Sequence, residues 1–525
     1  MTATLAAAPA RPGPPASPAR HWRSRILPPT DGRGGWLATL VVALLAGVLR
    51  IVRLDLPAGR IFDEIYYVCD AQNLLRFGVE VATAGGSAEV QASCEPTGSA
   101  GFIVHPPLGK WAIALGIRAF GTNEFGWRIA AAVAGTLMVL VLVRVTRRMT
   151  GSTTLACVAG VLLSLDGLHF VQSRAGMLDV FVAFWLLASF ASLVADRDAV
   201  RRRLARTPDD GLVGHGPRLG LRPWRLLAGV CLGAAVATKW SALYYVAVLV
   251  LLAFAWEVGA RRTAGVRSPV RATVMRSAAP LLATLLVLPA ALYLLSWVGW
   301  FAGDQGYDRD WAGRAGNEPG ALASLFPESL RSWWQYHREI FGFHDNLRQS
   351  HNYQSHPAGW LLLARPVSYY YPAGIGPGKY GCEVTSCSRE VLAIGTPAIW
   401  WAAIAMLLVM LWLWVARRDW RAASVLVMVV AAIVPWIRDD LDGRTMFLFY
   451  ALPAVPFFCL GLALVAGWAI GGPGASRRRR MVATIGVGTY VSIVVLNFAY
   501  LYPVLAAQTL PYADWLQRMW FTSWI

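Results

Sequence analysis

Charge is what this chain has least of. Only 15% of its 525 residues are Asp, Glu, Lys or Arg, against 56% hydrophobic, and acids are the scarcer sign at 30 against 48 basic residues. A soluble globular protein of this length needs more polar surface than that, so a polytopic membrane protein remains. Cysteine is also sparse. Seven are scattered with no CxxC or Cys/His spacing, which excludes a disulfide scaffold and a structural zinc site. The deficit of acids leaves a formal charge of +18. The arginines stand between apolar runs, however, and not on a basic face interleaved with aromatics, so nucleic acid is no partner.

Long apolar runs are what the chain has in abundance. A spanning helix takes ~20 mostly apolar residues, because lipid offers no partner to free backbone groups. Eleven such runs are expected, at about 34–54, 127–147, 152–168, 176–195, 225–238, 240–257, 277–299, 392–416, 421–437, 446–470 and 481–504. The fifth and sixth, parted by little more than Lys239, read equally as a broken hairpin. Residues 1–33, rich in Pro, Ala and Arg, read as a disordered tail, and the run after them as an uncleaved first span. The tail arginines, "RVTRR" 144–148, "RDAVRRRLAR" 197–206, "RR" 261–262, "ARRDWR" 416–421 and "RRRR" 477–480 all fall on one side if there are eleven spans. The positive-inside rule makes that side cytoplasmic, with the N-terminus inside and the C-terminus outside.

The other side receives the loop 55–126, the stretch 300–391 and the loop "RDDLDGR" 438–444. Between residues 55 and 126 eight acids stand against four bases, the reverse of the cytoplasmic loops. In "RIFDEIYY" 60–67, Asp63 and Glu64 adjoin. A carboxylate at a desolvated membrane edge, raised in pKa, suits a general base toward a hydroxyl. Arg50, Arg128, Arg174 and Lys239 fall on the same side, and an arginine fork matches phosphate oxygens. Base plus cations points to group transfer from a lipid-phosphate donor to a hydroxyl. A transporter would carry charges in mid-helix and repeats between its halves, neither of which is evident.

The segments "VRLDLPAGRIFDEIYYVCDAQNLLRFGVE", "HPPLGKWAI", "WRIAAAVAG", "HFVQSRAGMLDVF", "TKWSALYY", "HNYQSHPAGWLLLARPVSYYY" and "GRTMFLFYALPAVPF" resemble, in order, the protein O-mannosyltransferases of the GT-C class. The resemblance implies an all-α GT-C membrane fold of eleven spans. It also implies transfer of mannose from polyprenyl-phosphate mannose to Ser/Thr of secreted or membrane proteins, with inversion, at the extracytoplasmic face of the plasma membrane. Partners implied are the lipid donor, the protein acceptors, membrane lipid and the Sec translocon; no metal or other cofactor is expected. It puts the acidic pair on Asp63, as base, and Glu64, and essential arginines on Arg50 and Arg128, with matching turns at His105 and Arg174. Asp63, Glu64 and Arg128 are expected in catalysis. Arg50, which also orders the acidic loop, His105 and Arg444 are expected at the substrate, while electrostatics and side extend a donor-phosphate role to Arg174 and Lys239. A transferase that moves the sugar to a glycan or lipid acceptor is the nearest alternative.

The loop 300–391 is too short for the β-trefoil domain of eukaryotic members, and residues 392–525 form a C-terminal four-helix region after the core of 34–299. "SLRSWWQYHREIFGFHDN" reads as an interfacial amphipathic helix with Trp333, Trp334 and Tyr336 at headgroup depth. His344, His351 and His356 are candidate acceptor contacts. Cys382 with Cys387, and Cys69 with Cys94, fall outside, where disulfides are chemically allowed.

Overall fold

The computed structural model describes residues 32–84, 94–208 and 210–525. The tail 1–31, with its expected disorder, and the acidic Glu89 lie outside the described residues.

Nine helices among the described residues are long and apolar enough to cross a membrane. They are α1 (Arg33–Ile51), α4 (Glu124–Thr150), α7 (Asp179–Arg206), α9 (Trp240–Thr263), α10 (Pro269–Ser296), α12 (Pro397–Arg417), α13 (Trp420–Leu441), α14 (Leu448–Ile470) and α15 (Arg477–Leu505). Two shorter apolar helices, α5 (Thr153–Ser164) and α8 (Pro223–Val236), fall in the third and fifth of the runs where full spans were expected. The fifth and sixth are separate helices, broken at Ala237–Lys239. Several extend past the apolar run. α7 continues through the arginine cluster because Arg and Ala are good helix formers, and Asp198 offers carboxylate oxygens to Arg148 and Arg197.

Local chemistry sets the helix ends. Asn123 accepts from the Gly126 amide at 2.9 Å to start α4, and Gly151 in the left-handed region stops it. Proline opens α8, α10 and α12, where its missing N–H costs nothing. In α10 a π-helical turn, Ala283–Val287, lies between Pro280 and Pro289. It brings the Thr284 carbonyl against Gly229 of α8, where a Cβ would sit 1.9 Å from that oxygen. α14 is enclosed on nearly all sides, with 89% of its apolar window buried. α10 (17%) and α15 (11%) form the lipid-facing rim.

The helices have chemically distinct ends. At one end Arg148 pairs with Asp198, Arg197 lies over Trp420, and Arg222 links Asp196 to Glu257. At the other end, between α1 and α4, the chain folds α2 (Glu64–Phe77), a β1 (Val81–Thr83)/β2 (Pro96–Ala100) hairpin and α3 (Leu108–Phe120). This loop is ordered by its own acids: Lys110, 1% exposed, bonds Asp70 at 2.8 Å and Glu80 at 3.2 Å. Cys69 is disulfide-bonded to Cys94, and Cys382 to Cys387. Residues 300–391 add α11 (Glu328–Asp345) and β3 (Val367–Tyr370), which pairs antiparallel with β5 (Val391–Ala393); β4 is Cys387–Arg389.

α11 is amphipathic as expected, but its aromatics divide differently. Trp334 is 64% exposed, whereas Tyr336 is buried, its hydroxyl accepting from the Ile103 amide at 2.8 Å among Trp297, Trp300 and Ile340. The period of 3.6 turns Ser332, Tyr336 and Ile340 inward together.

Candidate active site

α2 starts at the vicinal acids and sends them in opposite directions. Asp63 is the N-cap residue, yet its side chain caps no amide. Its carboxylate instead reaches the Tyr67 hydroxyl, one turn on, at 3.4 Å. It lies deep among surrounding atoms while part of its surface stays open to the cleft. Burial pushes its pKa up to about 6; Lys239 opposes the shift and Asp179 adds to it.

Glu64 points into the protein and is fully buried. Arg128 grips it through Nε at 2.9 Å and Nη2 at 3.0 Å, and its oxygens also accept from the amides of Gly176 at 2.7 Å and Ile61 at 2.9 Å. The rest of the Arg128 fork goes to the carbonyls of Leu54 (3.3 Å), Pro57 (2.9 Å) and Gly59 (2.8 Å). All five N–H groups of Arg128 are thus spent on protein. The phosphate role expected of Arg128 has no free N–H to serve it, and both Glu64 oxygens are committed to Arg128 and the two amides.

Arg174 and Arg50 are similarly engaged. Arg174 donates to the carbonyls of Arg50 (2.7 Å), Val52 (2.8 Å) and Arg53 (2.6 Å), and Arg50 is fully buried, bonding the Ala46 carbonyl at 3.0 Å and His169 Nδ1 at 2.7 Å. Both were expected at the substrate; the structure turns them to the backbone and interior behind it. An arginine near the end of a span can satisfy carbonyls that helix termini leave open, and sequence position alone does not tell that from a ligand contact.

Two other cations of this neighbourhood arrive from elsewhere in the chain. Lys239, in the break between α8 and α9, donates to both oxygens of Asp179 at 2.9 and 3.1 Å and lies 4.9 Å from the Tyr450 ring centre. Burial lowers its pKa, but Asp179 and its neighbours more than offset that, so it stays charged. Arg444 donates through Nε to the His344 carbonyl at 3.1 Å, and its Nη1, 3.6 Å from Asp439, has no hydrogen-bond partner. His105 and His344 stack with ring centres 5.2 Å apart. Burial, then nearby cations, hold His105 well below its ordinary pKa, and burial takes His344 down to about 4, outweighing its bond to Val104. Both rings are neutral at pH 7. Nε2 of His344 meets the Val104 carbonyl at 2.8 Å and so carries the proton, which leaves its unpartnered Nδ1 an acceptor. Nδ1 of His105 is unpartnered too.

Asp63, His105, Lys239 and Arg444 therefore form one electrostatically coupled cluster. Asp179, Tyr67 and Tyr450 join them without having been assigned roles from sequence; only the i, i+4 spacing of Asp63 and Tyr67 was there to find. His344 also joins, whereas His356 is exposed and bonded to Asp440 at 2.7 Å. Among the described residues no group of three His, Cys, Asp or Glu side chains is placed to hold a metal ion.

The fold is that of the GT-C membrane glycosyltransferases. It matches the S. cerevisiae protein O-mannosyltransferase Pmt1-Pmt2 complex bound to the sugar donor with a TM-score of 0.70, over 97% of this chain and 94% of that one, at 16% identity. Over 506 residues, 94% of this chain and 93% of the relative, it is 38% identical to the polyprenol-phosphate-mannose protein mannosyltransferase of Mycobacterium tuberculosis. The relative of the same name from Corynebacterium glutamicum is 34% identical over 521 residues, 97% and 96% of the two chains. The dolichyl-phosphate-mannose-protein mannosyltransferase family model matches residues 97–298, and that of the C-terminal four TMM region of protein-O-mannosyltransferase matches 329–524. The chain belongs to the protein mannosyltransferase family and is a glycosyltransferase.

Proposed function

We propose that this chain transfers mannose from a polyprenyl-phosphate mannose to Ser or Thr hydroxyls of proteins, with Asp63 as general base. The observation that carries the reading is the Asp63 carboxylate, uncommitted to capping and partly exposed, in one charged cluster with Lys239 and Arg444 around Tyr450. The names of the relatives supply donor and acceptor class.

In the reaction, Asp63 takes the hydroxyl proton as the acceptor oxygen bonds to the anomeric carbon. The bond from that carbon to the phosphate oxygen breaks, and the polyprenyl phosphate leaves with the electron pair. Phosphate departs readily once neutralised, so charge stabilisation by Lys239 and Arg444 replaces a general acid. A single displacement inverts the anomeric centre. Neutral His344, with an unpartnered acceptor nitrogen, suits a sugar hydroxyl, and His105 stacks beside it. Arg50, Glu64, Arg128 and Arg174 act behind the cleft by fixing the loop that carries Asp63.

The arginine clusters at the opposite helix ends favour an extracytoplasmic cleft in the cell membrane, with the N-terminus inside. Membranes containing the chain, given labelled polyprenyl-phosphate mannose and a Ser/Thr-rich peptide, are expected to yield mannosyl peptide of the anomeric configuration opposite to the donor. Label entering only a glycan or lipid acceptor overturns the reading.

A further inference from the structure

Next to the base sits a residue in an unfavourable conformation. Phe62 has φ +47°, the left-handed region that bulky side chains avoid, and it directly precedes Asp63. Its ring is held on several sides. It stacks on Tyr369 of β3 with centres 4.6 Å apart and planes within 10°, and meets Phe449 edge-on at 5.7 Å, Phe447 at 6.1 Å and His351 at 6.3 Å. These partners all come from the C-terminal part of the chain, whereas Asp63 belongs to the loop after α1. Strained backbone persists where surrounding contacts over-determine it, and such sites cluster where geometry matters.

The turn explains what the strain achieves. Ile61 gives its amide to Glu64, and Glu64 gives its amide to the Ile61 carbonyl, so the chain reverses tightly over residues 61–64. With Glu64 fixed inward by Arg128, the left-handed step at Phe62 is the last backbone adjustment before Asp63. Tyr369 is itself close enough to Asp63 to feel its charge.

We propose that Phe62 is a positioning residue: its ring, clamped by Tyr369, Phe447, Phe449 and His351, holds the left-handed turn that aims the Asp63 carboxylate into the cleft. This rests on Asp63 being the base. The C-terminal part of the chain, through β3 and His351 of the 300–391 stretch together with Phe447 and Phe449, thereby aligns a catalytic group carried by the N-terminal part.

The test uses the purified full-length protein with polyprenyl-phosphate mannose and peptide. Glycine tolerates φ +47°, so Phe62→Gly removes the clamp without adding backbone strain. It is expected to cut kcat about 10- to 100-fold, the scale of a misplacement near 1 Å, with a smaller change in the donor KM. Phe62→Leu should behave similarly, and Phe62→Tyr should restore most of the rate. In Phe62→Leu the acid limb of kcat should also move to lower pH as water reaches a carboxylate otherwise faced by Lys239, Asp179, Tyr67, Tyr369 and Tyr450. If Phe62→Gly does not fold, Tyr369→Leu is read in its place, with the same fall in kcat expected. Full kcat in a folded Phe62→Gly or Tyr369→Leu protein, with Asp63→Asn inactive, overturns the positioning role. Activity retained by Asp63→Asn overturns the base assignment beneath it, whatever Phe62 does.

Discussion

Replacing Arg128 by Met separates a structural arginine from a phosphate ligand. Its fork makes two bonds to the fully buried Glu64 and three to loop carbonyls. Removing it leaves Glu64 buried with only the Ile61 and Gly176 amides for company. Stripping one partner from a buried ion pair costs about 3–5 kcal/mol, and the freed carbonyls add to it where water cannot reach them. Arg128→Met should therefore unfold several degrees earlier in detergent and lose activity through the protein, not through donor affinity. Arg128→Lys, with a point charge in place of a fork, should recover only part of the loss. Adding Glu64→Leu to Arg128→Met should regain stability relative to Arg128→Met alone, because the uncompensated charge disappears. Thermal unfolding monitored by tryptophan fluorescence, paired with donor KM, decides the matter. Unchanged stability with a tenfold higher donor KM would refute the reasoning and return Arg128 to the phosphate.

Other consequences are as direct. With Asp63 ionising near pH 6, kcat should fall as pH drops through that value; a flat profile from pH 5 to 8 would exclude it as base. The same carboxyl binds its proton more tightly folded than unfolded, against an ordinary 3.8, so its contribution to stability is lost as pH rises from about 4 to 6, and Asp63→Asn should abolish that loss. Arg444→Ala should raise the donor KM about 10- to 100-fold, the worth of a charge-assisted hydrogen bond, with little change in unfolding temperature. Thiol labelling of the denatured protein without reductant should mark three cysteines, Cys157, Cys231 and Cys459, and all seven after reduction. Seven labelled thiols before reduction would contradict both disulfides.

The apolar runs were readable because lipid enforces length and hydropathy on each helix, whatever the packing around it. Asp63 stood out by adjoining Glu64 in the acidic loop, and Lys239 by parting two apolar runs. The arginines were misleading in the same terms. Arg128 and Arg174 stand where a phosphate clamp would, but carbonyls at the end of α1 and in the turns at 52–59 take up their N–H groups, while Arg50 turns to Ala46, Leu163 and His169, and none of this leaves a period in the sequence. Asp179, to which the sequence assigned no role, is the partner of Lys239, a contact across 60 positions. The order inside loop 55–126 was hidden too, because the pairing of Lys110 with Asp70 and Glu80 joins positions 40 and 30 apart that no local pattern links. Tyr336 turned inward since helical period outranks the preference of aromatics for headgroups.

The most direct measurement is a single turnover by purified protein loaded with polyprenyl-phosphate mannose, comparing the unmodified chain with Asp63→Asn at pH 7.5. The account predicts that both bind the lipid equally and that only the unmodified chain passes mannose to the peptide hydroxyl. Transfer at comparable rates by the two would contradict it.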